Sequence, residues 1–247
     1  MTSPPSPPDG GVPLLLAGPA PARVGAAGDV DRSLLRTLGG AAGTMLIAAD
    51  GGARRVIDED LVPDLVVGDL DSLPAAERSR LEAMGVELQV AAPDTDESDM
   101  ELSLLAALAS GTRRIVVLGA LGLVRPEHSV ANLLLLADPR FDGLEVTLAG
   151  RGSRITRAGT AGGPGALEVT GEPGDLVSLF PLGDAVEGVT THGLRFPLAD
   201  ETLPLGPSRG LSNELLEATA YVTSRRGRLL VIHTRRSMAD APPTGDI

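Results

Sequence analysis

The sequence contains no cysteine and no lysine; all 21 of its basic residues are arginine. Without cysteine there are no disulfides, no thiolate metal sites and no cysteine nucleophiles. Without lysine there is no Schiff-base chemistry and no phosphate loop built on a lysine ammonium. Histidine is scarce, and a three-histidine zinc site would use up His128, His192 and His233 together. Aromatic residues make up 2% of the chain, and tryptophan is absent, so stacking platforms for single-stranded nucleic acid are missing. The 33 acidic residues leave a net charge of −12, and the basic face that phosphate backbones require is missing too. The longest apolar stretches, such as residues 133–137, fall far short of the roughly 20 residues of a spanning helix. Neither a nucleic acid nor a membrane is expected as a partner. An acidic chain suits a hard divalent cation such as Mg²⁺ instead.

What is present is a globular composition. Of 247 residues 43% are hydrophobic, enough for a core, and 31 glycines and 20 prolines provide many turns. Residues 1–11 and 238–247 are rich in small, polar and proline residues and read as disordered tails. The short apolar run near the N-terminus lacks a preceding basic region, so the chain reads as cytoplasmic.

Residues 12–149 alternate short apolar runs with helical patterns. Strands are expected at 12–16, 44–48, 64–67, 86–90, 114–118 and 144–148. Helices are expected at 31–38 (Asp31 able to cap), after Gly52 to about Asp60, from Pro74 onward, at 96–110 and at 127–137. Such alternation with near-continuous apolar strands predicts a parallel sheet, in which ligands bind beyond the carboxyl ends of the strands. From residue 150 to 237 the pattern changes to short runs between glycine-rich turns, with no helical period. Runs at 155–156, 166–169, 176–179, 186–189, 221–223 and 229–232 predict an antiparallel β domain, a sandwich or barrel.

The acidic residues gather just past the predicted strands. In Gly68-Asp69-Leu70-Asp71-Ser72, two carboxylates two residues apart point the same way on extended backbone and repel unless a cation lies between them. The same residues also suit a solvated turn. The run Asp94-Thr95-Asp96-Glu97-Ser98-Asp99-Met100-Glu101 opens a helix. Thr95 or Asp96 can cap it and acids favour its first turn, while Asp96 and Asp99 would share a helix face able to hold metal. Asp50-Gly51-Gly52-Ala53 lies between a strand and a helix, where glycines let a phosphate approach the backbone. Arg125, in the loop before the next helix, is suited to bidentate phosphate binding or to pairing with carboxylates. His128 would lie in the first turn of that helix, where packing or hydrogen bonding is its ordinary role. These residues together describe a Mg²⁺–polyphosphate site.

The ordered series of motifs resembles the thiamin pyrophosphokinase (thiamin diphosphokinase) family. The runs are Ala49-Asp50-Gly51-Gly52-Ala53, Pro63-Asp64 through Ser72, Asp96 through Glu101, and Gly119-Ala120-Leu121-Gly122 with Arg125, His128 and Ala131-Asn132. In the second half they are Val177-Ser178-Leu179-Phe180-Pro181-Leu182, Gly188 through Leu198, and Ser208-Arg209-Gly210-Leu211-Ser212-Asn213-Glu214. The resemblance implies an α/β nucleotide domain followed by an all-β sandwich, and a homodimer with each active site between subunits. It implies transfer of the diphosphoryl group of ATP to the hydroxyl of thiamin, with Mg²⁺. It carries metal roles onto Asp50, Asp69, Asp71 and Asp99, with Asp96 as a further candidate, and catalytic roles onto Asp71, Asp99 and Arg125. ATP binding falls on Asp50, Gly51, Gly52, Arg125 and His128, and thiamin binding on Ser212, Asn213 and Phe196. The chain departs from the family pattern at Arg54, where Asn is frequent, and at Glu127, where Asp is usual. A non-catalytic relative, or an enzyme using another acceptor, are the competing readings.

Overall fold

The computed structural model describes residues 14–16, 32–92, 94–122, 126–150, 152–160 and 162–239. Arg125, the proposed cap Asp31, the segment assigned to the N-terminal tail and most of the C-terminal one lie outside the described residues. The chain divides into two compact units: Met1–Leu135 with Gly143–Gly150, and Leu136–Asp142 with Arg151–Ile247.

The first unit runs β1 (Leu14–Leu16), α1 (Arg32–Gly39), β2 (Leu46–Ala49), α2 (Gly52–Ile57), β3 (Leu65–Gly68), α3 (Ala75–Ala83), β4 (Glu87–Val90), α4 (Asp99–Ala109), β5 (Arg114–Leu118), α5 (Pro126–Leu135) and β6 (Glu145–Gly150). Its strands are parallel throughout, in the order β6-β5-β1-β2-β3-β4. Every residue of β2 and β3 is buried, as expected where a strand is covered on both faces. Leu46, Ala48, Val66, Leu70, Leu81 and Leu118 belong to one apolar cluster. The Asp64 carboxylate accepts the Leu46 N–H at 2.7 Å, tying the entrance of β2 to that of β3.

Two helix starts differ from the sequence expectation. Pro74 stands just before α3 with extended backbone (ψ 149°), so it flanks the helix and is not its first residue. Helix α4 begins at Asp99, three residues later than expected, because Ser98 is the cap: its Oγ accepts the Glu101 N–H at 3.3 Å. Asp96 therefore lies in a bend ahead of the helix and shares no helix face with Asp99.

The second unit contains a 3₁₀ turn at Pro139–Phe141, then β7 (Ser153–Ala158), β8 (Gly165–Thr170), β9 (Leu176–Pro181), β10 (Val186–His192), β11 (Glu201–Leu203), β12 (Asn213–Glu214), β13 (Thr219–Ser224), β14 (Leu229–Thr234) and a short helix α6 (Arg236–Ala239). Its strands pair antiparallel in the orders β12-β9-β14-β7 and β11-β10-β13-β8. Residues from both groups, among them Val177, Leu229, Val231, Val189, Ala220 and Val222, form one buried cluster. Strands β11 and β12 were not legible in the sequence, being too short to show a period of two. Residues 136–142 belong with this unit, although the sequence boundary placed them in the first. The buried Arg157 accounts for that, donating to the carbonyls of Leu136 and Phe141 and to the Asp142 carboxylate at 2.9 Å.

Candidate functional site

Three loops at the carboxyl ends of β2 and β3 and at the start of α4 bring four of the five expected acids together, Asp50, Asp69, Asp71 and Asp99. Asp50 follows β2 with φ 42°, in the left-handed region that Asp tolerates better than most residues. Its N–H donates to the Val67 carbonyl at 2.8 Å, which sets it beside the end of β3. The residue is 4% exposed, and its Oδ1 is buried with no hydrogen-bond partner. A buried carboxylate oxygen left unpaired is costly unless a cation or donor meets it.

Strand β3 ends at Gly68, with φ 146°. A Cβ there would stand 2.9 Å from an Asp99 carboxylate oxygen and 3.1 Å from the Asp50 Cβ, so only glycine lets the two acids close in. Asp69 and Asp71 flank Leu70, which is fully buried with φ 59° and anchors the turn in the core. The Asp69 Oδ1 accepts the Asp71 N–H at 3.1 Å. One carboxylate oxygen from each of Asp50, Asp69 and Asp71 lies within 4.8 Å of the others. Three carboxylate oxygens so close, with an unpaired buried oxygen on Asp50, fit a hard divalent cation of the Mg²⁺ type.

Asp99 enters from the first turn of α4. Burial, then the charges of Asp50, Asp69 and Asp71, push its carboxyl from 3.8 up to about 6. Asp96 is exposed and is not among the three clustered carboxylates.

Gly51 and Gly52 are buried at the start of α2, Gly51 with helical φ −57°. Arg54, on the same helix, donates to Glu77 at 2.7 Å, an interaction absent from the sequence reading. His128 lies in the first turn of α5, its Nε2 3.9 Å from Glu127. The Ser129 Oγ, in α5, donates to the Gly122 carbonyl and accepts the Gly122 N–H, both at 2.8 Å. The buried Asn132 donates to the Ala120 carbonyl at 2.8 Å. Ser129 went unrecognised in the sequence because serine in a helix carries no mark of a partner seven residues back.

The remaining expected residues belong to the second unit. Ser212 is exposed, with φ 55°, and its N–H donates to the Ser178 Oγ at 3.0 Å. Asn213 is 8% exposed. Its Oδ1 accepts the N–H groups of Phe196 and Glu214, each at 2.9 Å, and its Nδ2 donates to the Phe196 carbonyl at 2.7 Å. Phe196 is 55% exposed. The Arg195 guanidinium lies 5.5 Å from its ring centroid and pairs with Glu214 at 3.0 Å.

Comparison with known proteins returns one family for both units. Residues 41–148 match the model of the thiamin pyrophosphokinase catalytic domain, and residues 167–229 match that of the thiamin pyrophosphokinase vitamin B1 binding domain. The chain is 26% identical over 192 residues to thiamine pyrophosphokinase of Bacillus subtilis, covering 77% of this chain and 87% of the relative. It is 27% identical over 210 residues to thiamine pyrophosphokinase 1 of Oryza sativa subsp. japonica, covering 76% and 78%. The crystal structure of the Bacillus subtilis thiamine pyrophosphokinase superposes with a TM-score of 0.76 at 23% identity, covering 91% of this chain and 99% of that one.

Proposed function

We propose that this chain, which belongs to the thiamin pyrophosphokinase family, moves the diphosphoryl group of ATP to the hydroxyl of thiamin, giving thiamin diphosphate and AMP. The observation that carries the reading is the acidic cluster inside the matched catalytic domain: Asp50, Asp69 and Asp71 within 4.8 Å of one another, with a buried Asp50 oxygen unpaired.

In this reading Asp50, Asp69 and Asp71 hold Mg²⁺, and Asp99 stands against them. The metal, when bound, neutralises polyphosphate charge that carboxylates alone would repel. Transfer of this kind needs positioning and charge stabilisation more than a protein nucleophile, which suits a chain without cysteine or lysine. Gly51 and Gly52 let ATP approach the backbone beyond β2. Arg125 and His128 are assigned to the phosphates, and Ser212, Asn213 and Phe196 to thiamin. The acceptor is a cation, and the net charge of −12 favours its approach. The second unit is read as a β-sandwich, the assembly as a homodimer and the setting as the cytoplasm. Among the described residues no helix is long and apolar enough to cross a membrane.

ATP labelled at its β-phosphate tests the reaction type. With Mg²⁺ and thiamin, the label is expected in thiamin diphosphate and unlabelled AMP is the co-product. Labelled ADP with thiamin monophosphate would contradict diphosphoryl transfer.

A further inference from the structure

An ion pair joins the first turns of α2 and α3. The Arg54 Nε donates to the Glu77 carboxylate at 2.7 Å. Helix α2 leaves the carboxyl end of β2 and helix α3 leaves that of β3, and each of the two residues is the third of its helix. Strands β2 and β3 are parallel, so the pair lies at the rim that carries Asp50, Asp69 and Asp71. Neither terminal nitrogen of Arg54 has a partner among the described residues, and its side chain is 41% exposed. The hydrogen bond to Glu77 first, then, against desolvation, the charges of Glu77, Asp50 and Asp58 hold the Arg54 pKa above the usual arginine value. The charge of Asp50 therefore reaches Arg54, yet the buried Asp50 Oδ1 is left unpaired. The guanidinium is tied to Glu77 instead of to the acidic cluster.

A half-exposed ion pair is worth little to stability, so joining two helices is a poor account of this one. Arginine has donors to spare where lysine has a single ammonium. With Nε engaged, its two terminal nitrogens still form a planar fork that fits two oxygens of a phosphate. A polyphosphate with one Mg²⁺ bound keeps negative charge, and here it must settle beside carboxylates in a chain of net charge −12. There is no lysine to meet it, and Arg125 is the one arginine that the thiamin-kinase reading gives to the phosphates.

We propose that Arg54 is a second phosphate-binding arginine of this site: Glu77 holds its Nε, and its two terminal nitrogens take oxygens of the nucleotide polyphosphate. Glu77 is then a positioning residue. The proposal rests on the thiamin-kinase reading above and adds to it two residues outside its set.

The probe is α,β-methylene-ATP, in which the bond to the transferred diphosphoryl group cannot be cleaved. With Mg²⁺, calorimetry on the full-length chain is expected to show its Kd raised about tenfold in Arg54→Gln. Tripolyphosphate with Mg²⁺, which lacks the nucleoside, should lose affinity by the same factor. Arg54→Lys keeps the charge but has one ammonium for both partners, so it should still bind the analogue about threefold more weakly than wild type. Arg80→Gln removes the same charge from the last turn of α3 and should change neither affinity. Glu77→Ala should weaken the analogue about threefold with Arg54 present and not at all in the Arg54→Gln background. In steady-state assays Arg54→Gln should raise the ATP KM about tenfold and leave the thiamin KM as it is. An unchanged analogue Kd in Arg54→Gln, with a lower Tm of the free chain, would overturn the proposal by showing a brace between helices and nothing more. So would an equal loss in Arg80→Gln, the mark of net charge alone, or a loss confined to the analogue, which would place Arg54 on the nucleoside. Tighter binding by Glu77→Ala would overturn the positioning role. Failure of the function reading is separate: a wild-type chain that binds the analogue and forms no thiamin diphosphate would remove the acceptor and leave the Arg54 result standing.

Discussion

Asp99 shows how a single residue reports on the site. Its carboxyl titrates near 6 in the folded chain and near 3.8 when unfolded, because burial and then three neighbouring carboxylates disfavour its charge. Between those values the folded state holds more protons, so this group's contribution to stability falls as pH rises through that window. Without divalent metal, the Tm difference between wild type and Asp99→Asn should therefore move against the wild type from pH 4 to pH 6.5. Adding Mg²⁺ should flatten it, since a cation compensates the repulsion. A difference independent of pH in metal-free protein would separate Asp99 from the cluster. The four acids were legible in the sequence because each follows an apolar strand or opens a helix. Gly68 was legible as a turn residue but not as the gap through which Asp50 and Asp99 meet. That needs two loops, 18 and 31 residues away in sequence, to be folded beside it. The bond from the Phe196 N–H to the Asn213 Oδ1 was not legible for the same reason, its partners being 17 residues apart.

At the scale of elements, helix α4 decides which acids join the site. Thr95 and Asp96 were the caps the sequence suggested, and Ser98, which takes the role, stands two residues beyond Asp96. Thr, Asp and Ser side chains can all accept the orphan N–H groups of a first turn, so residue type alone did not single out Ser98. Ser98 takes that role with ψ 158°, and this starts the helix at Asp99 and leaves Asp96 in solvent. Ser98→Ala is expected to cost about 1 kcal/mol in urea denaturation and to raise the Mg²⁺ concentration needed for turnover, because Asp99 loses its fixed turn. Unchanged stability would mean that the helix is held without that cap. The long apolar strands β2, β3 and β5 were recovered within two residues at each end, since burial on both faces leaves a continuous apolar run. Strands β11 and β12, three and two residues long, have no such signature. They exist because neighbouring strands hold them.

For the molecule as a whole, composition did much of the work of exclusion. No cysteine, no lysine and a net charge of −12 leave metal-assisted chemistry on small molecules as the natural domain of this chain. The change from strand–helix alternation to glycine-punctuated strands near residue 150 marked the passage from parallel to antiparallel structure. What it did not mark is the detour of residues 136–142. Arg157, with 6% of its side chain exposed, gathers that segment through Leu136, Phe141 and Asp142, and Arg228 adds a second ion pair to Asp142 at 2.9 Å. Burial lowers the Arg157 pKa most, followed by the attraction of Asp142, which raises it, and the nearby Arg228 charge; the net shift is downward. Such a hub is invisible in sequence, where arginine is the only basic residue and occurs throughout.

Diphosphoryl transfer by this chain is tested by the stoichiometry of products formed from ATP, Mg²⁺ and thiamin, with thiamin omitted as the control. AMP and thiamin diphosphate are expected in equal amounts, with no AMP without thiamin and loss of both with EDTA or in a folded Asp71→Asn chain. Thiamin-independent AMP, or full turnover by Asp71→Asn, would contradict it.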